Sequence, residues 1–322
     1  MDKKYHDNLI VSNAPHLVTP MDTQKTMLMV IFALLPALVV STYIFGARVL
    51  LLCAVSVAIS MAFEGLWNML FKKKQTVGDL SAALTGLLIA FNVPVTLPIW
   101  IIVVGDFVAI VIVKQLFGGI GKNITNPAIT ARVVLFISFA SDMTNWVNPR
   151  MIDAVSTATP LGVLAEGGVL PGLNELFLGF VGGSLGEVSA IALLIGGIFL
   201  VWKKIISPII PCCFIGTVFV FALIYYLATG DQNPFQMAIW HVLAGGVMLG
   251  AIFMATDYVT SPLLPAGKVV FGIGCGIMTM VIRLFGQYPE GVSFSILLMN
   301  CLTPLINNFF QKRMYGGKKN EK

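Results

Sequence analysis

The sequence predicts an all-α polytopic membrane protein: about ten transmembrane helices in two inverted five-helix repeats with broken helices. Three observations predict it. The composition is too apolar for a soluble globule. The apolar runs alternate with basic ends in a way that orients them. Segments far apart in the chain resemble each other.

The 322 residues are 57% hydrophobic and 11% charged, with mean hydropathy +0.89. Soluble domains are about 45–50% apolar and about 25% charged. Twenty basic and fifteen acidic residues cannot coat a 34.7 kDa globule. This excludes a soluble domain, a disordered chain and a disulfide scaffold. The net charge of +5 is not concentrated in one basic stripe, so no nucleic-acid partner is expected; the expected surroundings are membrane lipid. The five cysteines are odd in number and sit inside apolar segments without a C-x-x-C pair, which points away from metal and disulfide chemistry.

Apolar runs fall at 27–45, 49–71, 80–93, 96–116, 127–141, 187–202, 205–228, 236–256, 268–284 and 292–310. Before them, residues 1–26 are polar; they predict a cytoplasmic N-terminal segment and not a cleavable signal. The first five runs make a first half, 27–141. Its third and fifth runs are short, which predicts broken or buried helices. Residues 142–186 form the longest loop, and a loop of this length in a tight protein is more often functional than idle. The second half covers 187–310, and 311–322 is a basic tail. With the N-terminus inside, sixteen of the basic residues lie at inner positions and only Arg48, Arg150 and Arg283 at outer ones, while Arg132 falls within a span. Excess Lys and Arg mark the cytoplasmic side, so both termini are expected inside and the 142–186 loop outside.

Gly86 to Pro98 (GLLIAFNVPVTLP) and Gly250 to Pro262 (GAIFMATDYVTSP) share Gly, Val-Thr and Pro in register. Leu116-Phe117-Gly118 before Pro127 is echoed by Leu284-Phe285-Gly286 before Pro289. Five spans per half is an odd number, so the second half must insert upside down. Such repeats hold their sites near the midplane at interrupted helices, here the two Val-Thr-x-Pro segments. A competing match, GDLSA (78–82) with GEVSA (186–190), fits no whole-half repeat.

Ionisable residues within the runs are Glu64, Asp79, Asp106, Arg132, Glu187, His241 and Asp257. Charge at membrane depth is costly and usually faces a bundle interior or a hydrated path. Asp79, Asp106, Glu187 and Asp257 are the candidates for a cation path. Glu64 and His241 read as structural, and Arg132 could simply pair with a carboxylate. Gly179, Gly182, Gly183 and Gly186 suit close helix packing.

The outer loop holds Asp153-Ala-Val-Ser156-Thr-Ala158-Thr159-Pro160. On its own this is a hydroxyl-rich turn entering a proline. It resembles the flavinylation motif D-x-x-[S/T]-x-A-T of the RnfD/NqrB family, membrane subunits of the Rnf complex and of the sodium-pumping NADH:quinone reductase. Thr157 stands where Gly is common in that motif. The resemblance extends along most of the chain. Ala14-Pro15-His16 is similar to the family's S-P-H segment. Gly118-Gly-Ile-Gly-Lys-Asn123-Ile-Thr-Asn126-Pro127-Ala128 is similar to its G-G-x-G-x-N-x-x-N-P-A loop. Ala255-Thr-Asp257-Tyr-Val-Thr260-Ser261-Pro262 is similar to A-T-D-x-x-T-S-P, and Arg283 through Gly291 with Met299-Asn300 to the C-terminal block.

The resemblance implies a flavoprotein subunit, not a complete enzyme, of an ion-translocating ferredoxin:NAD oxidoreductase in the bacterial cytoplasmic (inner) membrane. It implies FMN linked through its phosphate to Thr159, with Asp153, Ser156 and Ala158 as the motif that a flavin transferase reads. It also implies a non-covalent riboflavin, with Asn123, Asn126, Asp257 and Thr260 as contacts. Residues 118–127 also read as a tight turn before a helix with Pro127 at its first position. The implied partners are the other Rnf subunits, A, B, C, E and G. The chain has no dinucleotide fingerprint and no catalytic set of its own. Two alternatives stand beside this reading: a B-type subunit of the sodium-pumping quinone reductase, and a non-redox channel or secondary transporter built on an inverted repeat.

Overall fold

The structure is a computed structural model that describes residues 21–147, 159–165, 171–187, 189–230, 232–286 and 291–310. Among these residues every regular element is a helix. α1 (Thr23–Phe45) starts where the Asp22 carboxylate accepts the Thr23 N–H at 2.7 Å, and it ends at Gly46 with φ 82°. α2 (Arg48–Leu70) returns antiparallel after a tight turn. A 3₁₀ turn (Val77–Asp79) leads into α3 (Ser81–Phe91), whose start is fixed by Asp79 Oδ1 accepting both the N–H and the hydroxyl of Ser81. α4 (Ile99–Phe107) runs directly into a π-helical stretch, Val108–Gln115, and α5 (Pro127–Ser138) and α6 (Ala140–Met143) follow.

The short helices α7 (Pro160–Ala165) and α8 (Leu173–Leu178) come next. Then follow α9 (Ala190–Trp202), α10 (Ile209–Thr229), α11 (Pro234–Leu243) and α12 (Val247–Leu249), which continues as a π-helical turn, Gly250–Met254. α13 (Pro265–Phe285) and α14 (Val292–Phe310) complete the order.

Among the described residues five helices, α1, α2, α10, α13 and α14, are long and apolar enough to cross a membrane. A sixth span arises if α11 and α12 with its π turn are taken together, although the two pieces meet at 60°. The runs read at 80–93, 127–141 and 187–202 form helices of 11, 12 and 13 residues. The run at 236–256 is not one helix. It breaks at Gly245 and Gly246, both left-handed at φ 67° and 70°, with no proline to announce the break. Large apolar side chains such as Val39, Tyr43, Leu70, Trp202 and Phe309 are 67–82% exposed, an outer surface suited to lipid rather than water. The chain is therefore a multi-pass helical membrane protein.

An interrupted helix leaves carbonyls that membrane depth does not satisfy. At the end of α3 the segment before α9 supplies the donors: Gly186 N–H reaches Phe91 O at 2.8 Å and Leu185 N–H reaches Val93 O at 3.2 Å. A Cβ on Gly186 would fall on the Phe91 side chain, so this approach needs glycine. α9 is held against α1 in the same manner, because a Cβ on Gly196 would meet the Ala33 carbonyl. Gly196→Val is expected to lower the unfolding midpoint of the detergent-solubilised chain, at an overpacking cost of about 1–3 kcal/mol. An unchanged thermal scan would mean that α1 and α9 are not tightly docked.

Candidate functional site

A cavity of about 290 Å³ lies among the start of α1, the start of α3, the loop before α5 and the stretch after α12. Its lining includes Thr26, Leu84, Lys114, Asn123, Phe253 and Asp257. The loop before α5 turns sharply because Gly118, Gly119 and Gly121 take φ of 111°, 92° and 86°, values that side chains oppose. That turn brings both asparagines to the cavity wall. Asn126 caps α5: its Oδ1 accepts the N–H groups of Ala128 (3.0 Å) and Ile129 (3.4 Å), and Pro127 occupies the first helical position. Its Nδ2 donates to Met254 O at 3.1 Å, tying the loop before α5 to the π-helical turn after α12. Asn123 Oδ1 is buried at the same wall and has no hydrogen-bond partner.

Across the cavity, Asp257 Oδ2 accepts the Thr260 hydroxyl at 3.0 Å. Thr260 does not line the cavity; it supports Asp257. Its own carbonyl accepts the Thr303 hydroxyl at 2.9 Å. In its hydrogen-bonding orientation the Asn300 amide accepts the Asn126 N–H (3.1 Å) and donates to Thr260 O (3.3 Å). Asn300 therefore joins the two cavity loops from behind.

Lys114, which also lines the cavity, is buried. Its Nζ lies 2.8 Å from Glu64 Oε1 and 2.6 Å from Ser81 Oγ. Glu64 Oε1 also accepts from Gln115 Nε2 and Thr76 Oγ1, both at 3.0 Å. The cavity thus combines an apolar wall, an unpartnered acceptor, a supported carboxyl group and a neutralised cation. Sites for small organic ligands are mostly apolar, carry a few fixed polar groups and begin at about 300 Å³. The residues present fit a planar heteroaromatic ring with polar edges, such as that of riboflavin.

Thr159 stands elsewhere, just before α7. It is buried, and its Oγ1 accepts the Gly162 N–H at 3.0 Å. Beside it lies a small shelf of about 20 Å³, lined in part by Leu161, Gly182, Gly183, Glu187 and Gly245. This shelf cannot enclose a flavin ring, so the ring of an FMN on Thr159 would lie outside it. Asp153, Ser156 and Ala158 lie outside the described residues.

The four candidate ion-path carboxylates are not brought together. Asp257 is at the cavity, and Asp79 is beside it through Ser81. Asp106 is wholly buried between α2 and α4, bonded to Ser56 and Ser60. Glu187 pairs with Arg132 at 3.3 Å near the Thr159 shelf. Among the described residues no cluster of three His, Cys, Asp or Glu could hold a metal ion.

Lys114, Ser81 and Asn300 are site residues that the sequence alone does not reveal. Lys114 reads from the sequence as an inner surface cation, and its partners Glu64 and Ser81, far back along the chain, explain its burial. Arg283 reads as an outer cation. It donates to the carbonyls of His241 (2.6 Å), Ala244 (2.9 Å) and Gly245 (2.9 Å), the groups at the α11–α12 break.

The family model described as the NQR2, RnfD, RnfE family matches residues 10–316. The chain is 49% identical, over 98% of both chains, to a protein of Acetobacterium woodii named as the D subunit of a Na(+)-translocating ferredoxin:NAD(+) oxidoreductase complex. It is 39% identical, over 96% of both chains, to the D subunit of the proton-translocating ferredoxin:NAD(+) oxidoreductase complex of Clostridium ljungdahlii. It is 35% identical, over 95% of this chain and 97% of the other, to the D subunit of the ion-translocating oxidoreductase complex of Actinobacillus succinogenes.

Proposed function

Because this chain belongs to the NQR2, RnfD, RnfE family, we propose that it is the flavin-carrying membrane subunit of an ion-translocating ferredoxin:NAD oxidoreductase of the Rnf type. The observation that carries the reading is the end-to-end match, over 98% of both chains, to a protein named as the D subunit of such a complex. In this reading FMN is linked as a phosphoester to Thr159, and Asp153, Ser156 and Ala158 are the motif a flavin transferase recognises. Riboflavin occupies the inner cavity. The other Rnf subunits, A, B, C, E and G, supply the NAD and iron–sulfur chemistry that this chain has no motif for.

The membrane arrangement follows the sequence reading: ten apolar segments, five per inverted half, in the inner membrane, with both termini inside and 142–186 outside. The breaks after α3 and between α11 and α12 support interrupted helices in each half. In this reading residues 1–26 and 311–322 are cytoplasmic segments that flank the halves 27–141 and 187–310.

Flavins carry the electrons when bound; the protein's part is to hold and shield them. At the cavity Asn123 Oδ1 offers an acceptor to a ring N–H, and the apolar wall excludes water from the ring faces. Asp257, held by Thr260, offers a second polar edge. Lys114 contributes little net charge because Glu64 neutralises it. Asp79, Asp106, Glu187 and Asp257 remain the carboxylates of the proposed ion-coupling function.

The test is flavin fluorescence of the denatured chain on a gel, from a host that supplies a flavin transferase. The parent and Thr159→Ser are expected to fluoresce and Thr159→Ala to be dark, since only a hydroxyl can form the phosphoester. A dark parent would overturn the covalent flavin and favour the transporter alternative.

A further inference from the structure

α2 carries Ser56, Ser60, Glu64 and Asn68 at spacings of four, and all four are buried. Four residues are slightly more than one helical turn, so they form one polar stripe on an otherwise apolar helix. The stripe meets Asp106 of α4, which is fully buried. Ser56 Oγ lies 2.8 Å from Asp106 Oδ1 and 2.8 Å from the Gly86 carbonyl of α3. Ser60 Oγ lies 3.0 Å from the same Oδ1, and Oδ2 has no partner.

A count of hydrogens decides the charge of this group. Three oxygen–oxygen contacts are each fully satisfied only when each contains its own hydrogen, and the two serines bring only two. With an ionised carboxylate, Ser56 must split one hydrogen between Asp106 and the Gly86 carbonyl, which weakens both bonds. A protonated Oδ1 completes the set. It donates to Ser56, Ser56 donates to Gly86 O, and Ser60 donates to Oδ1. No cation competes for the role. The titratable groups on the elements packed against Asp106 are Arg48, Cys53 and Glu64 on α2, Lys114 on the π-helical stretch and Arg132 on α5, and α3 carries none; Arg48, at the far start of α2, donates to the Thr96 and Leu97 carbonyls. Lys114 is bound to Glu64 and Arg132 to Glu187. An isolated carboxylate in an apolar interior neutralises rather than stays charged.

We propose that Asp106, clamped by Ser56, Ser60 and the Gly86 carbonyl, is a proton-binding site in the membrane core, separate from the inner cavity. It deepens the ion-coupling part of the function proposed above and does not depend on either flavin. Two further features support it. Asp106 stands two residues before the π-helical stretch begins at Val108, and π segments are frequent at functional sites. The stripe also continues one turn from Ser60 to Glu64, which reaches Thr76 and the exposed loop before it. The polar side of α2 therefore runs from the loop end towards Asp106. Proton loss has a structural consequence. Ser56 would then have one hydrogen for two acceptors, and α3 would lose its share of that bond. α3 and α2 are close here, since a Cβ on Gly86 would stand 2.7 Å from Ser56 O.

The experiment is infrared spectroscopy of the full chain in its membrane complex at neutral pH, parent against Asp106→Asn. The expected result is a deuterium-sensitive carboxylic-acid carbonyl band in the parent that the Asn variant lacks and that added Na⁺ leaves unchanged. Carboxylate bands in place of the acid band in the parent-minus-variant difference, or their appearance there on adding Na⁺, would overturn the proposal. Should Asp106→Asn not fold, Ser60→Ala serves. Removing that hydroxyl is expected to shift the acid band, and an unmoved band would overturn the assignment. A dark parent on the flavin gel leaves these spectra unaffected, so the two readings fail separately.

Discussion

Lys114→Met is expected to cost about 3–5 kcal/mol of stability, the usual penalty for removing one partner of a buried ion pair. Lys114 and Glu64 are 2% and 1% exposed and lie 2.8 Å apart. The penalty comes from the group left behind. Glu64 would keep Gln115 and Thr76 as donors, but its charge would be buried without a cation, and Glu64 Oε2 has no partner even now. The double variant Glu64→Gln/Lys114→Met removes both charges and is expected to recover most of the loss, because a neutral pair at the same place needs no compensation. Denaturant unfolding of the solubilised chain reads the difference. A single variant as stable as the double would show that water reaches the pair. Lys114 and Ser81 also line the cavity, so the same variants are expected to weaken retention of a flavin there.

That pair also shows how far a sequence of this kind can be read. The apolar runs are legible because lipid imposes long hydrophobic stretches, and α1, α2, α10, α13 and α14 follow them closely. The short third and fifth runs do form helices too short for a simple span. Asn126 with Pro127 is legible as a helix start because capping is local chemistry. The partner of a buried charge is not local. Lys114 lies at the end of an apolar run, as an interfacial lysine would, and its burial is decided by Glu64 and Ser81 on other segments. The serine stripe on α2 is not legible either, because serine is tolerated on either face of a membrane helix. The run across α11 and α12 reads as continuous, since Gly245 and Gly246 interrupt neither hydropathy nor length. Their left-handed backbone becomes necessary only when Arg283 takes the freed carbonyls and Glu187 presses on Gly246.

Arg132→Met is expected to be as damaging, at about 3–5 kcal/mol, and its effect reaches farther along the chain. Arg132 Nη1 donates to Asn92 Oδ1 at 2.7 Å, and both terminal nitrogens lie 3.3 Å from Glu187 Oε1. Asn92 ends α3, an 11-residue helix. Glu187 precedes α9, lines the Thr159 shelf and fills the space that a Cβ on Gly246 would need. One guanidinium therefore joins the end of α3 to the break between α11 and α12. Met keeps much of the arginine's length and apolar bulk but leaves the Glu187 charge uncompensated. Arg132→Lys is expected to fall between parent and Met, since a single ammonium cannot fork to Asn92 and Glu187 together. Adding Glu187→Gln to Arg132→Met should restore stability but not the link to Asn92. The decisive readout is therefore hydrogen exchange. In the double variant, faster exchange at the end of α3 and at Gly246, with the global unfolding midpoint recovered, is the signature of a bridge between the two interrupted helices. If both segments instead keep parental protection, the arginine only neutralises Glu187 and the two breaks are held independently.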